Sequence, residues 1–295
     1  MFLDRLSLKN LRNIKEANLT LHNKTNVVIG ENAAGKTTLL EAVDILSRGR
    51  SFRTNKTENL VRHGASGLYV GGTTGPDKKK LEIEKSKNRT KISVGGKEEK
   101  KQSKLAQELA IQSIHPNSHS LIEGPPSERR AFLDWGLFHV EHEFRKEWSS
   151  YVKILRQRNE ALKSGRDDEK TWMEKLAVSG QAVSLLRERY VLGLEKSIIE
   201  TQKYLMPESE VIFYYEKGWG KEKSFMEALI EKRGLDADRG YTSCGPQNAD
   251  VRIMLNNKEA QKICSRGQQK LIANIMLLSQ AKDFFEKKKF PSIIL

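Results

Sequence analysis

Cysteine and long apolar runs are in short supply in this chain, and acids are fewer than bases. Two cysteines among 295 residues cannot build a disulfide framework, which excludes a small stapled scaffold. Cys244 and Cys264 are expected to be reduced, with packing roles at most. No run of about 18 apolar residues exists, which argues against a membrane-spanning helix. The first residues, Met1-Phe2-Leu3-Asp4-Arg5, lack the apolar core and cleavage site of a signal peptide, so a cytoplasmic location is expected. Acids are outnumbered, 38 Asp and Glu against 52 Lys and Arg, for a net charge of +14. Such an excess favours polyanionic partners, chiefly nucleic acid. A basic solvated surface with no dedicated partner is the other reading of the same number. No internal repeat and no long low-complexity segment is visible, and the length suits one large or two modest domains.

What the chain does have is a complete phosphate loop. Residues 30–38 read G-E-N-A-A-G-K-T-T and fit G-x-x-x-x-G-K-[ST] at every fixed position. Thr25-Asn26-Val27-Val28-Ile29 reads as a short buried strand before it. Leu39, Leu40, Val43 and Leu46 recur at helical spacing after it. Strand, glycine turn and helix form the setting this motif requires. Gly30 and Gly35 let the backbone turn at little steric cost. The turn aims the amides of Glu31, Asn32, Ala33, Ala34 and Thr38 inward as an anion cradle, and the helix dipole adds to it. Lys36 is expected to reach the β- and γ-phosphates of ATP, and the Thr37 hydroxyl to ligate Mg²⁺.

Alternation from Leu3 to Leu11 and from Glu16 to Leu21 predicts paired strands around a turn at Arg12-Asn13. Leu68–Gly72, Lys80–Glu84 and Thr90–Val94 predict further antiparallel strands, with turns at Gly75-Pro76-Asp77, Asn88 and Gly95-Gly96. The charged stretch Glu98–Lys104 is expected to be exposed. A helical texture follows Gly124-Pro125-Pro126. Ser127 is the expected N-cap of a first helix, with Ala131, Phe132, Trp135 and Phe138 on one side. A second helix carries Trp148, Tyr151, Val152, Leu155 and Leu162. Residues 164–168 punctuate the chain. A long third helix carries Leu176, Val183, Leu186, Tyr190, Leu194 and Ile198 and ends before Pro207. These three are expected to pack as an antiparallel bundle. Strand character returns at Val211–Tyr215 and Val251–Leu255. A short helix, Phe225–Arg233, is expected to stop at Gly234, and a last long helix runs from about Gln268 to Glu286.

A second anion site is written at residues 265–270, S-R-G-Q-Q-K. Ser265 and Gly267 stand at the expected start of the last helix, where a hydroxyl and bare amides meet the helix dipole. An ordinary helix cap has the same residues. Its position far downstream of a phosphate loop resembles the signature motif of ABC-type ATPases.

With both motifs in place, the chain resembles the bacterial RecF family, recombination-repair ATPases related to the SMC proteins. The resemblance rests on L-S-L-K-N-L-R-N-I near the start and G-R-S-F-R-T at 49–54. E-R-R-A-F-L-D-W-G-L-F-H-V-E at 128–141 and K-I-L-R-Q-R-N-E-A-L at 153–162 carry it further, and G-P-Q-N-A-D at 245–250 with the Ser265 motif completes it. It implies an α/β fold: an ABC/SMC-type P-loop ATPase head with a mixed sheet and an inserted α-helical lobe. The expected division is an N-terminal ATPase part over 1–123, a helical lobe over 124–207, and a return to the ATPase domain over 208–295.

The resemblance also implies an ATP-dependent DNA binder with weak, DNA-stimulated ATPase activity. Such proteins dimerise on ATP and act with RecR and RecO at single-stranded or gapped DNA. There they help load recombinase and support replication restart and the SOS response. Residue by residue, Gly30 to Thr37 would hold the triphosphate, and Asn32 matches the family's polar loop residue. Arg12 would approach the nucleotide, and Gln112 would approach Mg²⁺ and the attacking water. Ser265 and Gly267 would contact the γ-phosphate held by a second copy. The family also expects an apolar strand ending in paired acids. Pro291-Ser292-Ile293-Ile294-Leu295 begins such a strand, and no acids follow. The expectation is therefore a C-terminally truncated chain with little hydrolysis and weak ATP binding. Its alternative is a non-hydrolysing DNA- or partner-binding fragment.

Other features read more plainly. His139 and His142 fall inside the family block and are expected to be structural. Lys78-Lys79-Lys80, Lys100-Lys101-Lys104 and Lys287-Lys288-Lys289 are either solvated loops or salt-sensitive DNA contacts. Arg129 and Arg130 are candidates for DNA or partner contact. Trp135, Phe132 and Trp148 are expected in the lobe's core.

Overall fold

A computed structural model describes residues 2–54, 56–165 and 168–295. The chain divides into two compact units. One runs up to His115 and includes Lys289–Leu295; the other is Pro116–Lys288. The helices of residues 124–207 lie in the second unit together with residues 208–288.

The first unit is built on a six-stranded antiparallel sheet. In chain order the elements are β1 (Phe2–Leu11), β2 (Ile14–Thr20), α1 (Lys36–Arg48), β3 (Gly67–Gly75), β4 (Lys80–Ser86), β5 (Thr90–Val94) and β6 (Lys97–Glu99). They are followed by α2 (Ser103–Glu108) and β7 (Ile111–Gln112). The strand order is β2-β1-β3-β4-β5-β6. Alternation fixes the register: Leu6, Leu8, Leu68, Val70, Leu81, Ile83 and Ile92 point to one face and are buried. Helix α1 covers that face with Ala42, Val43, Ile45 and Leu46. Each buried Val, Leu or Ile side chain contributes about 1.5–3 kcal/mol of burial. The approach is close. A Cβ on Gly72 would sit 2.5 Å from Leu46 Cδ2 and 3.0 Å from the Arg5 carbonyl, so β3 needs glycine where α1 crosses it. The expected exposed stretch 98–104 is exposed apart from Glu99, and β6 and α2 take up part of it. A second, parallel sheet in this unit has two short strands, with Ile293–Ile294 pairing to β7.

One expectation fails here. Thr25–Ile29 belongs to no strand, and Val27 and Ile29 are 75% and 88% exposed. A parallel strand needs neighbours for its amides and carbonyls, and no registered pairing reaches this segment among the described residues. A side chain within the segment offers the backbone just before it another arrangement. The His22 amide donates to Asn26 Oδ1 at 2.8 Å, and Asn26 Nδ2 donates back to the His22 carbonyl at 2.8 Å.

The second unit is mainly helical. It holds α3 (Ser120–Glu123), α4 (Pro126–Val140), α5 (His142–Ser164), α6 (Glu169–Leu205), β8 (Val211–Glu216), α7 (Phe225–Arg239), β9 (Asp250–Leu255), β10 (Lys258–Glu259), α8 (Ala260–Ile263) and α9 (Arg266–Lys288). Strands β10-β9-β8 form an antiparallel sheet. Helix α4 starts a step before the expected Ser127 cap because Pro126 takes its first position, where a missing N–H costs nothing. Gly165 closes α5 in the left-handed region, while Arg166 and Asp167 lie outside the described residues. Leu176, Val183, Tyr190, Leu194 and Ile198 of α6 are buried, and Leu186 is half-buried. Phe132 is buried, and Trp148 stacks between Phe144 and Tyr151 beneath the Arg187 guanidinium.

Buried arginines knit this unit together. Arg158 is fully buried. It donates to Glu169 at 3.0 Å and, through Nη1, to Asp236 and Thr242 at 2.8 Å each. Arg187 forks onto Asp134 and donates to the Pro246 carbonyl at 2.7 Å. Arg129, a candidate for DNA or partner contact by sequence, is 5% exposed. It forks onto Asp250 and reaches the carbonyls of Leu121, Ile122 and Gly124. Arg130 donates to the Ala249 carbonyl at 2.8 Å. Among the described residues no helix is long and apolar enough to cross a membrane.

Candidate nucleotide site

The phosphate loop leads directly into α1. Gly35 caps the helix in the left-handed region, φ 96, and the Leu39 amide closes the first turn on the Gly35 carbonyl at 3.1 Å. Ala33 is also left-handed, φ 66, and the Ala34 amide turns back to the Glu31 carbonyl at 3.2 Å. A Cβ on Gly35 would lie 3.2 Å from Ile14 Cδ1, so both conformation and space require glycine there. Gly30, Glu31, Asn32, Ala33 and Ala34 are exposed, as is Thr37; Thr38 is buried. The helix half of the expected strand–turn–helix is present and the strand half is not.

Lys36 folds back over this loop. Its ammonium donates to the Gly30 carbonyl at 2.8 Å and the Glu31 carbonyl at 2.7 Å. A cation, several amides of a left-handed turn and the exposed Thr37 hydroxyl form a donor set suited to phosphate. That hydroxyl is also the oxygen type Mg²⁺ takes.

The β1–β2 turn is pinned to the same loop. Asn13 Nδ2 donates to the Ala33 carbonyl at 2.9 Å, and Asn13 Oδ1 accepts from Thr38 Oγ1 at 3.3 Å. Arg12, φ 55, is thereby brought beside the loop. Its guanidinium forks onto Glu41 of α1, Nε to Oε2 at 3.0 Å and Nη2 to Oε1 at 2.8 Å. Sequence reasoning singled out Arg12 but neither Asn13 nor Glu41. A signal for Glu41 existed, because Thr38, Glu41, Ala42 and Ile45 follow core spacing along α1. An acid on that stripe requires a partner.

Gln112 sits in β7, 3% exposed, and its carbonyl accepts from the Leu295 amide at 2.9 Å. Helix α1 is tied to the same stretch. Ser47 Oγ donates to the Leu109 carbonyl at 2.6 Å, and Ser113 Oγ lies 3.5 Å from Asp44. Burial raises the Asp44 carboxyl above its ordinary range, offset in part by Arg48 and Arg50.

Ser265 and Gly267 belong to the second unit, at the start of α9. The Gln268 amide donates to Ser265 Oγ at 3.3 Å, and the Ser265 amide donates to Gln268 Oε1 at 3.0 Å. This is a reciprocal capping box. The tip is exposed from Ser265 to Gln268, and a Cβ on Gly267 would meet nothing nearer than Ser265 Oγ at 3.9 Å.

Residues 1–293 match the family described as AAA ATPase domain. The DNA replication and repair protein RecF of Vibrio vulnificus (strain YJ016) is 35% identical over 293 residues, covering 97% of this chain and 82% of that protein. The chain belongs to the RecF family. A solved structure of the recombination mediator protein RecF-ATP in the RecFOR pathway superposes with a TM-score of 0.92. It is 26% identical and covers 99% of this chain and 83% of that one. An Smc head domain from Pyrococcus furiosus matches at TM-score 0.57 with 13% identity over 99% of this chain and 88% of its own, which speaks for the fold alone. The fold is thus the α/β fold of a RecF- and SMC-type P-loop ATPase head with a mainly helical second unit, its antiparallel and parallel strands lying in separate sheets.

Proposed function

We propose that this chain is an ATP-dependent DNA-binding protein of recombination repair. The observation that carries the reading is a complete phosphate loop at the start of α1, in a chain whose fold follows a RecF-ATP structure over 99% of its length. In this reading the loop amides from Gly30 to Thr38 take the phosphates. Lys36 exchanges the Gly30 and Glu31 carbonyls for phosphate oxygens, and Arg12 adds a second cation beside them. Mg²⁺ would be held by Thr37 with Gln112 near it, and would supply charge neutralisation on the phosphates.

Ser265 and Gly267 offer a hydroxyl and a bare amide on an exposed helix tip. Such a tip suits a γ-phosphate held by a second copy, so the triphosphate would favour an ATP-dependent homodimer. A ligand shifts an equilibrium only by its differential affinity, and contacts made from both sides supply that difference. The net charge of +14 supports binding to DNA backbone, single-stranded or gapped duplex, with strong salt dependence. The finer roles follow the family: gap repair with RecR- and RecO-type partners, recombinase loading, replication restart and SOS induction, in the cytoplasm.

The decisive experiment is calorimetric titration with Mg-ATP of the wild-type chain and of Lys36→Ala. Measurable wild-type affinity, lost by about a hundredfold or more in the variant, is expected from removal of charge-assisted contacts to two phosphates. Equal affinity in both would overturn the site.

A further inference from the structure

Arg12 is held from two directions. Its main-chain amide donates to the Leu60 carbonyl at 2.7 Å. Its side chain commits Nε and Nη2 to the two oxygens of Glu41, at 3.0 and 2.8 Å. That is a bidentate fork, the strongest geometry available to this pair. Glu41 itself is 0% exposed. Ser51 Oγ also donates to Glu41 Oε1, and Arg53 Nη1 stands 3.9 Å from Oε2. A buried carboxylate must be compensated or it is strongly destabilising. Here the compensation comes from Arg12, a hydroxyl and a more distant arginine.

The fork uses one edge of the Arg12 guanidinium. Nη1, with two N–H donors, has no partner among the described residues, and the side chain keeps 23% exposure. The next residue, Asn13, grips the Ala33 carbonyl of the phosphate loop. The arginine's free edge is therefore carried on a turn fastened to the anion cradle, with its orientation set by an acid on α1.

We propose that Glu41 is a positioning residue for the nucleotide. It fixes the Arg12 guanidinium so that Nη1 is presented to a triphosphate in the loop, and it touches no ligand itself. The inference rests on the nucleotide reading of the site. Its physical content is pre-organisation. A free arginine would lose side-chain freedom on meeting a phosphate, whereas one already forked onto Glu41 has lost it on folding.

The test is a double-mutant cycle on the full chain, read by Mg-ATP titration, with urea melts run alongside. Arg12→Ala and Glu41→Gln are each expected to weaken ATP by about tenfold, the size of one charge-assisted contact. The double variant should bind no more weakly than Arg12→Ala alone, because Glu41 acts only through Arg12. Additive losses would mark a merely structural role and overturn the inference. If Arg12→Ala weakens ATP and Glu41→Gln does not, the inference falls and the nucleotide role of Arg12 stands. If Arg12→Ala binds normally while Lys36→Ala does not, the inference falls and the site stands. If Lys36→Ala also binds normally, the site reading fails first. Should Glu41→Gln not fold, Glu41→Asp keeps the charge and withdraws the carboxylate from Arg12. A tenfold loss is again expected, and wild-type affinity would overturn the proposal.

Discussion

Asn13 holds Ala33 by its side chain, Nδ2 to the carbonyl at 2.9 Å, across 20 positions of sequence. Its Oδ1 takes the Thr38 hydroxyl on the first turn of α1. One amide thus braces the phosphate loop at its middle and at its exit. Asn13→Ala should loosen the loop without unfolding the chain, since the Ala33 contact is exposed. Mg-ATP affinity should fall by about tenfold, the equivalent of roughly one or two hydrogen bonds, while the urea midpoint stays near wild type. An unchanged titration would show that the loop orders itself without this brace.

Ser265 combines two roles that a single substitution can separate. As the cap of α9 it accepts from the Gln268 amide, and Ser265→Ala should cost about 1 kcal/mol of stability. As the proposed contact to a second copy's nucleotide, it should leave Mg-ATP affinity intact and weaken ATP-dependent dimerisation. Sedimentation velocity with and without ATP reads the second effect, and urea melts read the first. A lowered melt with an unchanged ATP-dependent dimer would leave only the cap.

The second unit depends on Asp236. Fully buried, it takes Arg158 Nη1 at 2.8 Å, the Ser243 amide at 2.9 Å and the Ser243 hydroxyl at 2.6 Å. Asp236→Ala strands a buried guanidinium and should cost about 3–5 kcal/mol. Asp236→Asn keeps one acceptor and should cost less. Chemical denaturation of both variants gives the comparison, and equal small losses would mean that Glu169 and Thr242 suffice for Arg158.

Asp236 also explains where sequence reading stopped short. Gly234 looks like a helix terminator, yet α7 runs through it to Arg239 and ends at Gly240 in the left-handed region, φ 68. An interior glycine costs about 1 kcal/mol, and the anchoring of Asp236 two residues later outweighs that. Periodicity cannot show an anchor supplied by Arg158, 78 positions away. The hairpin of β1 and β2 was legible because alternation is local, and so was the glycine turn into α1, because Gly35 takes the left-handed conformation there. Thr25–Ile29 was not legible. Its apolar run satisfies a strand pattern, but a parallel strand exists only through partners that are distant in sequence. Arg129 looked like a surface cation until Asp250, 121 positions on, closed on it. Composition reports how many cations a chain carries, and only the fold reports which of them are already spent.

Asp44 gives the remaining prediction its sign. Burial is the largest influence on its carboxyl and lifts it above the ordinary aspartate value, with Arg48 and Arg50 pulling the other way. Its Oδ2 has no hydrogen-bond partner among the described residues, and Ser113 is 3.5 Å from Oδ1. A carboxyl raised in the folded state contributes stability that is fully present below its unfolded value and lost as pH rises through its folded value. Wild-type unfolding free energy should therefore lose this contribution as pH rises above the ordinary aspartate range. Asp44→Asn is uncharged throughout and has no such loss. The difference between variant and wild type in urea melts should then shift in the variant's favour as pH rises across that window. A difference independent of pH would show that Arg48, 3.1 Å from the carboxylate, compensates the buried charge in full.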